Sequence, residues 1–131
     1  MKIPVVIVGR VRSKSDLQSA CDASTIWSLG QMKNRPDLRQ DLYQTGIFYK
    51  PEKRQSPLPG VERFQTADSL FDLGYGDCDD LACVRAAQLQ LRGIAARAVP
   101  IESPGGGWHI VVRHPDGSIE DPSARLGMLR E

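Results

Sequence analysis

The stretch 74–93, GYGDCDDLACVRAAQLQLRG, constrains the fold more than any other part of this chain. A helix is predicted over 78–91, because a capping acid precedes it and a glycine follows its last apolar residue. Arg85, Gln88 and Arg92 recur at i, i+3 and i+7, and the remaining positions of the central part are apolar or small. A helix that is polar along one narrow stripe is typical of a central element, buried on most sides.

The sequence after this helix alternates short apolar runs with turn residues. Strands are predicted over 94–101, 109–113 and 118–121, separated by glycines at 105–107 and by Pro-Asp-Gly at 115–117. A helix followed by an antiparallel meander is the pattern of an α+β domain. We therefore predict an α+β fold whose central helix, which carries Cys78, packs on a small antiparallel β-sheet.

The N-terminal half has weaker signals, set mainly by proline, glycine and capping residues. The elements predicted there are a strand over 3–9 closed by Gly9, a helix from Ser15 or Asp16 to about Leu29 ended by Gly30, a short helix from Pro36 to about Gly46, a surface loop over 50–62 and one or two helical turns over 68–73. This half is thus expected to add helices to the α+β core.

Composition narrows the class of protein. A chain of 131 residues has room for one domain core. The net charge of +1, without a dense basic run, gives no support for binding nucleic acid or an anionic membrane. The apolar run near the N-terminus is too short for a secretory signal, and no run has transmembrane length. Three cysteines are too few for a disulfide framework, so free thiols in the cytoplasm are expected.

Cys78 lies between Asp77 and Asp79, where carboxylates oppose formation of a thiolate. On one interpretation this is only a capped helix start: Asp77 is the N-cap, Asp80 completes a capping box and the cysteine is a small apolar filler. On the other, a thiol in the first turn faces free N–H groups and the positive end of the helix dipole, with the acids turned outward to cap. That interpretation requires a cation, and histidine is the residue that gains and loses a proton near neutral pH.

The chain has two histidines. His114 precedes the turn at a hairpin tip, where a solvated side chain is expected. His109 begins an apolar strand, a position that also suits a core histidine with satisfied hydrogen bonds. If Gly117 is left-handed in a three-residue loop, His114 pairs with Ser118. Asp121 then lies diagonally across from His109 on the same face of the sheet.

Cys78, His109 and Asp121 therefore form a candidate catalytic triad. The acid orients the imidazole, and the imidazole takes the thiol proton. The chemistry predicted is acyl transfer through a thioester. A metal site built from Cys78, Asp79, Asp80 and His109 is the less favoured alternative, because this mixture of soft and hard ligands suits no common metal. We expect no metal and no cofactor.

Three motifs carry a family resemblance: GDCDDLA at 76–82, WHIVV at 108–112 and IEDPSARLG at 119–127. Together they resemble the transglutaminase-like superfamily, whose fold has a Cys–His–Asp triad in common with the papain-like proteases. The resemblance implies one such domain over 1–131, best matched over 70–128. It implies Cys78 as nucleophile, His109 as base and Asp121 as orienting acid. Proteases, amidases, deamidases and cross-linking transferases all use this core, so hydrolysis and transfer both stay open.

The sequences of these motifs resemble those of small stand-alone members of the superfamily, encoded among the structural genes of tailed bacteriophages and prophages. That implies a protein or peptide substrate, phage structural proteins as partners, and a place in the host cytoplasm or the virion. It also implies an alternative, a non-catalytic structural or assembly protein that keeps the fold. The family's oxyanion hole combines the nucleophile's N–H with an upstream side chain, for which the candidates are Tyr43, Gln44, Tyr49, Gln65 and Tyr75.

Overall fold

The computed structural model describes residues 6–10, 13–51 and 61–128. Its α-helices are α1 (Lys14–Asn34), α2 (Ala67–Leu73), α3 (Cys78–Leu91) and α4 (Pro122–Arg125). Its strands are β1 (Val6–Arg10), β2 (Phe48–Tyr49), β3 (Val61–Gln65), β4 (Tyr75–Gly76), β5 (Arg97–Glu102), β6 (Trp108–Arg113) and β7 (Ile119–Glu120). The strands form small sheets, with β1 beside β3, β2 beside β4, and the meander β5-β6-β7. The mixed α+β class predicted from the sequence is confirmed.

Helix α3 has the predicted limits and a complete capping box at its start. The Asp77 carboxylate accepts from the Asp80 N–H at 3.3 Å, and the Asp80 carboxylate accepts from the Asp77 N–H at 3.1 Å. These two bonds satisfy N–H groups that a helix start otherwise leaves without partners. The capping box therefore fixes the orientation of the first turn of α3 relative to the preceding residues.

The prediction that Arg85, Gln88 and Arg92 form a solvent-exposed stripe on α3 is wrong for two of the three. Arg85 and Gln88 are buried, whereas Arg92 is exposed. Both buried side chains find polar partners inside the protein. Arg85 pairs with Glu120 at 2.7 Å, and the Gln88 amide donates to the carbonyl of Gln40 at 2.6 Å. Burial of these groups is tolerated because they are hydrogen-bonded.

Two apolar clusters lie against α3, so the helix is the central element predicted. The first joins α3 to α1, β3 and the meander, through Leu17, Cys21, Phe64, Ala82, Cys83, Ala86, Leu89, Ala96, Ala98, Ile110 and Val112. The second joins α3 to α1, α2 and the segments before β2, through Met32, Leu38, Leu42, Ile47, Ala67, Leu70, Leu81, Val84 and Ala87. The alanines of α3 leave room for close neighbours on both sides.

The hairpin between β6 and β7 has the predicted register. Val112 lies opposite Glu120, and the His114 N–H donates to the Ser118 carbonyl at 2.9 Å. Gly117 is left-handed, with φ of 89°. This conformation costs glycine little and closes the three-residue loop.

Both ends of the meander differ from the prediction. β5 begins at Arg97, because residues 92–96 after α3 form a turn and a short irregular connection. β7 ends at Glu120, and Asp121 instead caps the short helix α4, accepting from the Ala124 N–H at 3.2 Å. Pro122 explains the change, since it cannot donate to a strand ladder and is favoured in the first turn of a helix.

Helix α1 is longer than predicted at both ends. Its N-cap is Ser13, whose hydroxyl accepts from the Asp16 N–H at 3.1 Å. The helix passes through Gly30 and ends at Asn34. Glycine costs about 1 kcal/mol inside a helix, and burial of Met32 in the next turn offsets that cost.

The helix predicted from Pro36 to Gly46 is wrong beyond its start. The segment forms two 3₁₀ turns, Pro36–Arg39 and Leu42–Gln44. Asp41 separates them, because its carboxylate accepts from the Tyr43 N–H at 2.9 Å and starts a new turn.

Strand β1 runs through Gly9 to Arg10 and pairs antiparallel with β3. Residues 3–5 of the predicted first strand and 52–60 of the predicted loop lie outside the described residues. The loop prediction is wrong at its C-terminal end, where β3 begins at Val61. No helix in the described parts of the chain combines the length and apolar character needed to cross a bilayer.

Gly76, in β4, provides a direct test of the packing beneath α3. A Cβ at this position would lie 2.8 Å from Leu70 Cδ1 and 2.9 Å from Asp80 Cβ, and the capping box restrains Asp80. We expect Gly76→Ala to lower the free energy of unfolding by about 1–3 kcal/mol, the range for an overpacked core.

Gly30→Ala is the matched control, because an added Cβ there meets nothing within 4 Å. It removes a helix-interior glycine and is expected to raise the free energy of unfolding by about 0.5–1 kcal/mol. Urea denaturation of both variants and the parent measures the difference. Equal stability of Gly76→Ala and the parent would contradict this description of the packing.

Candidate active site

The Cys78 sulfur lies at the open edge of β6. The β6–β7 ladder covers Val112 and Arg113, so the first part of β6 has no strand partner on that side. The His114 N–H points toward β7, and every second N–H along a strand points the same way. The N–H of Ile110 therefore faces this edge, and it lowers the pKa of the Cys78 thiol. The thiol is thus within interaction range of the backbone of the residue next to His109.

His109 and Asp121 are in direct contact, as the hairpin register predicts. The imidazole Nε2 lies 2.9 Å from Asp121 Oδ2, and the two side chains are only 14% and 13% exposed. The other oxygen of Asp121 accepts from the Ala124 N–H. A carboxylate on Nε2 makes that nitrogen the proton carrier of the neutral ring and leaves Nδ1 as an acceptor. Nδ1 is the atom that can take a proton from a thiol.

Cys78 and His109 form no hydrogen bond with each other among the residues that the structure describes. Among the described contacts, the sulfur meets β6 at the Ile110 N–H, and the imidazole bonds to Asp121. Catalytic hydrogen bonds are often long before substrate binds. The structure therefore places Cys78 near the strand that carries His109 and shows the imidazole bonded to Asp121.

The surroundings of Cys78 oppose its ionisation. Burial raises the pKa of the thiol most, and the nearby Asp79 carboxylate raises it further, with smaller effects from Asp77 and Asp80. The Ile110 N–H acts in the other direction. Without a cation beside it, this cysteine stays protonated at neutral pH. Any thiolate chemistry consequently depends on the histidine.

The carboxylates beside Cys78 face inward, which corrects the expectation that they turn outward to cap. Asp79 and Asp80 are buried, and Asp80 accepts from the Gln65 backbone N–H at 2.6 Å and from its side-chain amide at 3.0 Å. Burial raises the pKa of Asp77 and of Asp80. Asp77 and Asp80 therefore retain protons at pH values where exposed aspartates are charged.

The ligand set predicted for the alternative metal site is not gathered in one place. Oxygens of Asp77, Asp79 and Asp80 lie within 4.8 Å of one another, but that group contains neither Cys78 nor His109. Asp77 and Asp80 already serve as each other's capping partners. The acidic group is accounted for by helix capping and by Gln65.

Two of the five oxyanion candidates are occupied elsewhere. The Tyr43 hydroxyl donates to Glu120, and the Gln65 side-chain amide donates to Asp80 and to the Tyr75 carbonyl. Gln44 is exposed at the end of a 3₁₀ turn. The Tyr75 ring packs against Phe48, with 5.9 Å between ring centroids.

Tyr49 is the candidate whose strand pairs with the segment just before Cys78. Its backbone pairs with Gly76, two residues before Cys78. Burial raises the pKa of its hydroxyl, and the charges of Cys78, Asp77 and Asp79 raise it further, so the ring lies within electrostatic range of the sulfur. A protonated tyrosine hydroxyl can donate a hydrogen bond.

A polar network around Glu120 was missed by sequence reasoning. The carboxylate accepts from Arg85 Nε at 2.7 Å and from the Tyr43 hydroxyl, and it lies 2.9 Å from His114 Nε2. His114, expected to be solvated, is therefore bound. The register that relates His109 to Asp121 also places His114 diagonally across from Glu120, so the signal was present in the sequence.

Comparison with known proteins gives no relative: no family model, no curated protein and no solved structure matches this chain.

Proposed function

We propose that this protein catalyses thiol-dependent acyl transfer on an amide or peptide bond, through Cys78, His109 and Asp121. The observation that carries the proposal is the 2.9 Å His109–Asp121 bond on the strand whose next backbone N–H meets the Cys78 sulfur. A helix with the nucleophile at its first residue, followed by antiparallel strands with the base and the acid, is consistent with a papain/transglutaminase-like core.

The proposed reaction begins with transfer of the Cys78 proton to His109 Nδ1. The thiolate attacks the substrate carbonyl carbon, and the resulting oxyanion accepts hydrogen bonds from the N–H of Cys78 and the Tyr49 hydroxyl. His109 returns the proton to the leaving amine as the C–N bond breaks, which gives a thioester on Cys78. His109 then takes a proton from water or a second amine as that molecule attacks the thioester carbon; the C–S bond breaks, the acid or the new amide leaves, and the proton returns to Cys78. Asp121 stabilises the imidazolium in both halves of the reaction.

The chemistry is tested by the pH dependence of Cys78 alkylation with iodoacetamide. At about pH 6 the parent protein is expected to react faster than a model thiol, because the imidazolium holds the thiolate. His109→Ala is expected to react more slowly than the model thiol, because burial and the Asp79 carboxylate raise the pKa of Cys78 and no imidazolium is then present to stabilise the thiolate. Cys21 and Cys83 are buried, so the label is expected on Cys78. Peptide mapping shows which cysteine carries it.

His114→Ala is the matched control, because it removes the other histidine and its bond to Glu120 while leaving the His109–Asp121 bond in place. It is expected to keep most of the alkylation rate of the parent. Equal rates in the parent and His109→Ala, both at or below that of the model thiol, would overturn the proposed chemistry.

One observation favours a second function, that of a non-catalytic structural or assembly protein that keeps the fold. The Cys78 pKa is raised, and the thiol packs against the first apolar cluster without a bond to His109. On that account Cys78 is a capped, inert residue at a helix start. A structural role predicts that Cys78 is alkylated at the same rate in the parent and in His109→Ala, and no faster than the model thiol.

A further inference from the structure

We infer that the Arg85–Glu120 ion pair is a positioning element that fixes the acid-bearing strand relative to the nucleophile-bearing helix. The inference rests on the proposed function, in which Cys78 and Asp121 must meet His109 from opposite sides. Neither Arg85 nor Glu120 touches the proposed reacting atoms. Their role is to set the place of the residues that do.

Strand β7 needs support beyond its own ladder. It is two residues long and pairs with β6 at Ile119 and Glu120 only, and Asp121 follows directly. Adjacent residues of a strand point to opposite faces, so Glu120 and Asp121 extend in opposite directions. The contacts of Glu120 with Arg85 and Tyr43 therefore hold the backbone from which Asp121 reaches His109.

Arg85 connects that backbone to the helix of the nucleophile. It lies seven residues after Cys78 on α3, which places both side chains along the same face of the helix. Its Nε donates to Glu120 Oε2 at 2.7 Å, and its side chain is 9% exposed. Its Nη1 lies 3.7 Å from Asp41, within ion-pair range. A buried, charge-assisted bond of this kind fixes a distance more rigidly than a surface pair.

Tyr43 contacts residues on both sides of Asp121 in the sequence, namely Glu120 before it and Arg125 after it. Its hydroxyl donates to Glu120, and its ring contacts two guanidinium groups, Arg85 at 4.8 Å and Arg125 at 3.8 Å from the ring centroid. Arg125 belongs to α4, which Asp121 caps. The residues on both sides of Asp121 are thus joined through one aromatic ring to α3.

The inference is tested by NMR of the His109 ring nitrogens, which reports the Nε2–H bond to Asp121 without involving the thiol. The parent is expected to give a single-tautomer signal, and Arg85→Met and Glu120→Gln are expected to remove it. Arg97→Met is the matched control, because Arg97 forms the exposed 2.7 Å ion pair with Asp22 between β5 and α1. Arg85→Lys is expected to restore part of the parent signal.

Alkylation of Cys78 at about pH 6 gives the second readout, with an expected loss of about 10- to 100-fold in the folded Arg85→Met or Glu120→Gln protein, the effect of a misplaced catalytic group. An unchanged His109 signal and an unchanged alkylation rate in a folded variant would overturn the inference. Because Glu120→Gln keeps the shape of the side chain, it remains a test where Arg85→Met fails to fold. If the proposed function is wrong, the alkylation rate of Cys78 is the same in the parent and in His109→Ala, whatever the NMR signal of the His109 ring.

Discussion

Asp121→Asn is expected to slow acylation of Cys78 by a small active ester by about 100- to 10,000-fold, the usual contribution of general acid–base catalysis, because it disables His109 as the base. Asparagine keeps the cap of α4, because its carbonyl can accept from the Ala124 N–H as Asp121 does. Its amide nitrogen then faces His109 Nε2. That contact requires Nε2 to be the acceptor and moves the ring proton to Nδ1, so the imidazole cannot take the thiol proton.

Asp116→Asn is the control for this substitution. Asp116 is also an acid of the hairpin, and its Oδ1 accepts from the Ser118 N–H at 2.9 Å, a bond that asparagine preserves. Its acylation rate is expected to match that of the parent. Release of the ester's leaving group, followed by absorbance, measures both variants. A folded Asp121→Asn protein that reacts as fast as the parent would remove Asp121 from the triad.

Asp77→Asn is expected to stabilise the protein at alkaline pH and to leave its stability at acid pH almost unchanged. Burial and a hydrogen bond with Asp79 raise the pKa of Asp77 in the folded state. The folded state then binds more protons than the unfolded state, so the stability of the parent falls as pH rises above about 4. Asparagine cannot ionise and remains a good N-cap.

The expected gain at about pH 9 is on the order of a few kcal/mol, because a tenfold difference in proton affinity between the folded and unfolded states corresponds to about 1.4 kcal/mol. Urea denaturation from acid to alkaline pH measures it. Asp72→Asn is the control, since Asp72 is exposed on α2, and its pH dependence is expected to follow that of the parent. A parent protein whose stability rises steadily from acid to alkaline pH would show that the acidic group is charged in the folded state.

Local signals explain which elements could be predicted. The limits of α3 follow from a capping acid and a terminating glycine, and the β6–β7 register follows from three turn residues. The pairing of β1 with β3 joins residues more than fifty positions apart and has no local signature. The same holds for β2 and β4, which pair over only two residues each. Long-range pairing is decided by the assembled core.

The same limit applies to the candidate site. The contact between His109 and Asp121 could be predicted because one turn relates the two residues. The burial of Arg85 could not, because its partner Glu120 lies 35 residues away and a charged residue at that spacing normally marks a solvent-exposed face. Tyr49 could not be chosen over the other oxyanion candidates, because its place beside Cys78 depends on the pairing of β2 with β4.

The central claim is that Cys78 is a nucleophile that carries an acyl group. Intact-mass spectrometry of the folded protein, quenched in acid after mixing with a small active ester, tests it most directly. The expected result is one acyl group on Cys78, absent from Cys78→Ser, which disappears when a primary amine is added. A Cys78 that acquires no acyl group faster than a free model thiol, or that keeps the group indefinitely, would contradict the claim.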